Sequence, residues 1–155
     1  MKIIDVKVVG KFDTERVRDR EHWRNIRDIQ LYWSWRDNEG FIHEETVILE
    51  AGFIWDGASR PNFIGWLIPR GGVFLLASGI HDLAFKTRFF LSTGKRISRQ
   101  HADLLFLALM HYQADRRVNH GWKEPAQIVM AEVMYWSVRQ FGEPVWDKHD
   151  SEFRA

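Results

Sequence analysis

Apolar and polar residues alternate most regularly from Arg27 to Trp35, where Ile29, Leu31, Trp33 and Trp35 fall on one side of an extended chain. That period of two is the pattern of a half-buried strand. Asp37-Asn38-Glu39-Gly40 supplies turn chemistry and Phe41 to Leu49 runs back, so the pattern predicts an antiparallel hairpin. Lys2 to Val9, rich in β-branched side chains, predicts an earlier strand. Gly52-Phe53-Ile54-Trp55 is expected to continue the same sheet after a kink at Glu50-Ala51-Gly52. Asp13 to Arg20 carries mixed charge without a sustained apolar side and predicts an exposed loop or a short helical turn.

From Asp56 the period changes. Pro61 and Pro69 bracket an apolar piece, Phe63 to Ile68, that predicts one or two helical turns before the break at Gly71-Gly72. Val73 to Phe85 predicts a buried helix carrying His81 and Asp82, and Lys86 to Lys95 a loop. Ser98 is a good N-cap for a helix running to about Arg116, with Leu105, Leu109 and Tyr112 at apolar spacings. A last helix is expected from Glu124 or Pro125 to Phe141, stopped by Gly142 and followed by Pro144. Strands first and helices after them predict an α+β fold, a small antiparallel sheet packed with a three-helix layer. The expected organisation is one domain over 1–155: 1–55 mainly β, 56–142 mainly α, and 143–155 a C-terminal arm.

Composition narrows the chemistry. With no cysteine among 155 residues, disulfides, thiolate–zinc sites and cysteine nucleophiles are excluded. A formal charge of +1 gives no global pull toward nucleic acid. Lys86, Arg88, Lys95, Arg96 and Arg99, with Phe89 and Phe90 among them, form a basic cluster read first as a solvated loop. No apolar run approaches the roughly 20 residues that span a bilayer, and the first residues lack a signal-like apolar stretch. The expectation is therefore synthesis in the cytoplasm. Eight tryptophans enlarge a small core or mark an association surface. Trp23, the Arg27–Trp35 strand and the arm with Trp146 and Phe153 are the candidates for a surface that self-associates or joins a larger assembly.

Four ionisable residues stand in apolar company, where burial is costly unless they are paired, bind metal or do chemistry. Asp56 follows a strand and serves as an Asx-turn or N-cap, or as a ligand or base presented toward the helices. His81 and Asp82 are neighbours, about 100° apart on a helix, so they cannot both face one spot. Asp103 follows Arg99 by four residues, the spacing of a surface ion pair, yet Ala102, Leu104, Leu105 and Phe106 surround it. An inward Asp103 meeting His81 across antiparallel helices would fix the imidazole's tautomer and raise its basicity. Convergence of Asp56, His81 and Asp103 is expected. His101 and His111 lie on different helical faces and are not paired.

Taken together, Gly52-Phe53-Ile54-Trp55-Asp56-Gly57-Ala58-Ser59-Arg60-Pro61, then Ile80-His81-Asp82-Leu83, then Arg99-Gln100-His101-Ala102-Asp103 resemble a family of small phage and prophage proteins catalogued as domain of unknown function 1353. Asp56, Ala58, Ser59 and Pro61 match its first block, His81 and Asp82 its second, Arg99, Ala102 and Asp103 its third, and Met134 to Arg139 resembles its closing helix. Asn62 stands where that family has arginine after the proline, and Phe85 where it has tyrosine. The resemblance implies a clustered site: Asp56, His81, Asp82 and Asp103 for catalysis, Ser59, Arg60 and Arg99 for substrate, and Asp56, His81 and Asp103 for a divalent metal if one is bound. It leaves two classes of function. The favoured one, because the chain shows no strong nucleophile motif and carries many aromatics, is a structural or accessory component of a phage tail or baseplate, carried in the virion and partnered by other phage proteins or by itself. The other is a small hydrolase of cell-wall or lipid substrates that activates water with or without a metal.

Overall fold

The computed structural model describes residues 1–18, 22–55, 74–115 and 124–147. Its first layer is an antiparallel sheet in the order β1 (Lys2–Val9), β4 (Ile29–Arg36), β5 (Ile42–Leu49). On β4 the alternation acts as the pattern demands: Ile29, Leu31, Trp33 and Trp35 are buried, while Tyr32 and Arg36 face outward. The turn to β5 is held by Asp37, whose Oδ1 accepts the N–H groups of Glu39 and Phe41, both at 2.9 Å. Gly40 completes it at φ 96°, a conformation that side chains seldom adopt.

Two expectations fail here. Thr14–Arg16 (β2) is a strand, not a loop or a helical turn, and it pairs with Trp23–Asn25 (β3). Ile54–Trp55 (β6) joins β3 in this second sheet, ordered β2-β3-β6, instead of extending the first. Asn25 explains the departure. Its buried side chain donates to the carbonyls of Arg27 and Leu49 at 2.5 and 2.9 Å, and its backbone pairs with Gly52 and Phe53. The chain leaving β5 is thereby captured by β3. Mixed charge on β2 is tolerated because its side chains are largely exposed, as in the Glu15–Arg24 pair.

The second layer holds α1 (Leu75–Thr87), α2 (Arg99–Asp115) and α3 (Glu124–Phe141), with α2 packed between the other two and against β1. The side-chain oxygen of Ser98 accepts the His101 N–H at 3.2 Å, satisfying one orphan donor of α2. α1 seats Trp55: its indole N–H donates to Ser78 Oγ at 3.2 Å, and a Cβ at Gly79 would meet the Trp55 ring and Leu49 at 3.3 Å. α1 ends on Arg88, left-handed at φ 48°. The Arg88 guanidinium lies 3.1 Å from the Trp146 ring centroid and donates to the Trp146 carbonyl.

That contact corrects the picture of the C-terminal arm. Residues 143–147 form a further helical turn, and Trp146 is 9% exposed, packed edge-on to Phe85. It belongs to the core cluster shared by β4, β5 and all three helices. The aromatic side of β4 is core as well, and Trp23 is half-buried within β3, beneath Arg16. These aromatics serve burial. The short apolar piece Phe63–Ile68 and residues 148–155, including Phe153, lie outside the described residues.

Candidate functional site

Three helices converge on one carboxylate. Asp103, on the inward side of α2, is fully buried. Its Oδ1 accepts a hydrogen bond from His81 Nε2 on α1 at 2.8 Å, and its Oδ2 accepts one from Arg139 Nη1 on α3 at 3.1 Å. Arg99 Nε stands 3.7 Å from the same Oδ2, an ion-pair distance without a hydrogen bond. The two guanidiniums offset the cost of burying this charge. The local Arg99 pairing and the inward His81 pairing, alternatives from the sequence, are both present.

Helical spacing arranges this. Arg99 precedes Asp103 by one turn, and its Nη2 donates to the carbonyls of Val138 and Arg139 at 3.2 and 2.5 Å. Those carbonyls belong to the last turn of α3, where the Val138 carbonyl also accepts the Gly142 N–H at 2.9 Å. Arg99 therefore ties the end of α3 to the start of α2 and brings Arg139 over Asp103. On α1, the His81 ring packs between Phe85 and Phe106, with centroids 4.4 and 4.7 Å away. Packing and the hydrogen bond together fix the imidazole's orientation.

An ionised carboxylate only accepts, so His81 donates from Nε2, and the neutral tautomer that does so has its lone pair on Nδ1. Among the described residues Nδ1 has no hydrogen-bond partner, and the side chain keeps 14% exposure. The arrangement can orient a base, and it can equally hold a neutral ligand nitrogen toward a metal.

Asp82 stands apart from the dyad, paired with Lys86 at 2.6 Å one turn along α1. Asp56, Ser59 and Arg60 lie outside the described residues. Of the expected three-way convergence, the structure brings His81 to Asp103. No group of three or more His, Asp or Glu suited to a metal occurs among the described residues. Both Asp103 oxygens are taken by His81 and Arg139, which suits an orienting carboxylate better than a direct ligand. The basic cluster divides: Lys86, Lys95 and Arg96 are exposed, as a solvated loop would have them, whereas Arg88 and Arg99 are drawn inward. Arg88 is buried against Trp146, Arg99 holds α3, Lys86 pairs with Asp82, and Arg96 donates to the Arg88 carbonyl at 3.1 Å.

A second polar cluster, between α2 and the sheet, went unseen in the sequence. The indole N–H of Trp33 donates to His101 Nε2 at 3.1 Å. Trp35 donates to Glu45 Oε1 at 2.9 Å, and Ser92 donates to Glu45 through its N–H and its hydroxyl. Trp35 is packed between the rings of His43 and His101, with centroids 4.5 and 4.7 Å away, and His43 bonds Asp37 at 2.9 Å. The His43 hydrogen bond, with the backbone N–H groups of Phe41 and Glu39, holds Asp37 below the usual carboxylate range. Burial pushes His101 down to about 4, against a smaller opposing pull from Glu45. His101 is thus a neutral acceptor locking helix to sheet. The sequence signal was the alternation itself, since Glu45 falls on the inward side of β5. His111 instead lies 3.2 Å from Glu132 of α3.

A model for a protein of unknown function (DUF1353) matches residues 33–138, from β4 through the Arg99-bound turn of α3. Neither a curated protein nor a solved structure matches the chain.

Proposed function

The chain belongs to the DUF1353 family, and within it we propose that the protein is a small hydrolase using the His81–Asp103 dyad as its general base. The observation that carries this reading is the 2.8 Å bond from His81 Nε2 to a fully buried, arginine-flanked carboxylate, with Nδ1 left unpartnered among the described residues. In the proposed step, Nδ1 takes a proton from a water molecule as the water oxygen bonds to an ester or amide carbon and the carbonyl π electrons move onto oxygen. When the carbonyl re-forms, the carbon–oxygen or carbon–nitrogen bond to the leaving group breaks and Nδ1 returns the proton to the departing alcohol or amine. Asp103 stabilises the imidazolium that forms, and Phe85 and Phe106 hold the ring in place. Asp56, Ser59 and Arg60 remain candidates for the substrate side, and a divalent metal bound through His81 is an alternative way to activate the water. Turnover of ester and cell-wall or lipid amide substrates is the direct test. His81→Gln should lose on the order of 10²–10⁴ in rate with an unchanged fold, and equal rates would remove the dyad from the chemistry.

A second reading, an accessory component of a phage tail or baseplate, is favoured by one surface feature. α3 exposes Val129, Trp136 and Phe141 at 63%, 54% and 49%, with the two rings in edge contact. Such a face suits docking on a neighbouring phage protein or on a second copy. Purified virions that contain the protein, together with a self-associating species at micromolar concentration, would favour this role. A monomer absent from virions would count against it.

A further inference from the structure

We infer that Arg139 is an oxyanion-recognition residue beside His81, so that the group handled at this site carries a carboxylate or phosphate. The inference rests on the dyad being a working site, as proposed above. His81 and Arg139 are bonded to the two oxygens of a single carboxylate, at 2.8 and 3.1 Å, which sets imidazole and guanidinium on either side of it. Asp103 offers one negative charge against two guanidiniums, Arg99 and Arg139. Among the described residues, the other acid near them, Glu143, is 3.9 Å from Arg99 and 73% exposed, where water screens it. Asp82 is matched by Lys86. Among the described residues the site therefore keeps an excess positive charge.

The two arginines divide the work. Arg99 is 15% exposed and spends Nη2 on the carbonyls of α3, so its role is to build the site. Arg139 keeps 36% of its side chain exposed and makes one side-chain hydrogen bond among the described residues, to Asp103. A guanidinium has five N–H donors in a planar fork, and here the buried carboxylate holds one edge of that fork in position. The donors that remain suit a planar carboxylate or a phosphate and give a neutral amide much less. An anion held there lies next to His81, which gives the dyad a substrate class: an acidic acyl compound or a phosphate ester.

The test reads binding, so it is separable from turnover. The His81 imidazole resonances are followed by NMR while the intact protein is titrated with acetate, inorganic phosphate or acetamide. Saturable shifts are expected with acetate, phosphate or both, and the tighter of the two identifies the source. Acetamide, matched to acetate in size, should give at least tenfold weaker binding. Arg139→Gln should remove the anion response and Arg139→Lys should retain part of it, each in a protein whose spectrum shows the native fold. Acetamide binding as well as acetate, no response to either anion, or an unchanged response in Arg139→Gln would overturn the inference. Because acetate and acetamide are compared on the unaltered chain, the outcome stands even if the variants fail to fold. Anion binding without loss of turnover in His81→Gln would leave the anion site standing and remove the dyad from the chemistry.

Discussion

Acidification should destabilise this protein through His101. The imidazole is 1% exposed and accepts the Trp33 indole N–H, a group that can only donate. A proton on Nε2 would set two donors against each other and bury a charge, which is why the folded state holds His101 down at about 4. The unfolded chain titrates near 6.5, so between those values it binds the proton that the folded chain refuses. The sign follows: this contribution is complete above about 6.5 and is lost as the pH falls toward 4. At 1.36 kcal/mol for each pH unit, a gap from 6.5 to about 4 amounts to about 3 kcal/mol, with most of it gone by pH 4.5. Set against a total stability of about 5–15 kcal/mol for a protein of this kind, the loss should be plain. Urea denaturation at several pH values, followed by fluorescence, reports it directly because Trp33 and Trp35 both contact the ring. His101→Gln, whose amide oxygen can take the place of Nε2, should be less stable at pH 7 and nearly pH-independent between 4.5 and 7. A variant with the same pH slope as the parent would show that His101 is not the group being titrated.

Other outcomes follow from the same contacts. His81→Ala should lower stability by about 1–3 kcal/mol, because a buried carboxylate loses a donor while keeping Arg139; an unchanged denaturation midpoint would contradict the pairing. Trp146→Ala should cost about 3–5 kcal/mol, since the indole fills space between Phe85 and Arg88. Calorimetry showing no shift in Tm would return this segment to a loose arm. Gly79→Ala gains up to about 1 kcal/mol in helix propensity but forces its Cβ against Trp55, where overpacking costs about 1–3 kcal/mol. Net destabilisation is expected, and a more stable variant would mean that the Trp55 seat yields easily.

The periodic elements were legible from sequence because their determinants are local. Alternation on β4, the Asp37–Gly40 turn, the Ser98 cap and the Gly142 stop each act within a few residues, and β1, β4, β5 and three helices follow from them. The inward placement of Asp103 was readable too, from its apolar neighbours on α2. Tertiary structure decided the rest. β2 and β6 have no sequence period of their own, and they are strands because the backbone of β3 pairs with both. Trp146 looked like part of a tail until Arg88, 58 positions earlier, supplied its cation and its carbonyl donor. Arg139 and His81 reach Asp103 across separations of 36 and 22 residues. Which donor meets a buried carboxylate depends on how three helices pack, and a local pattern carries no record of that distance.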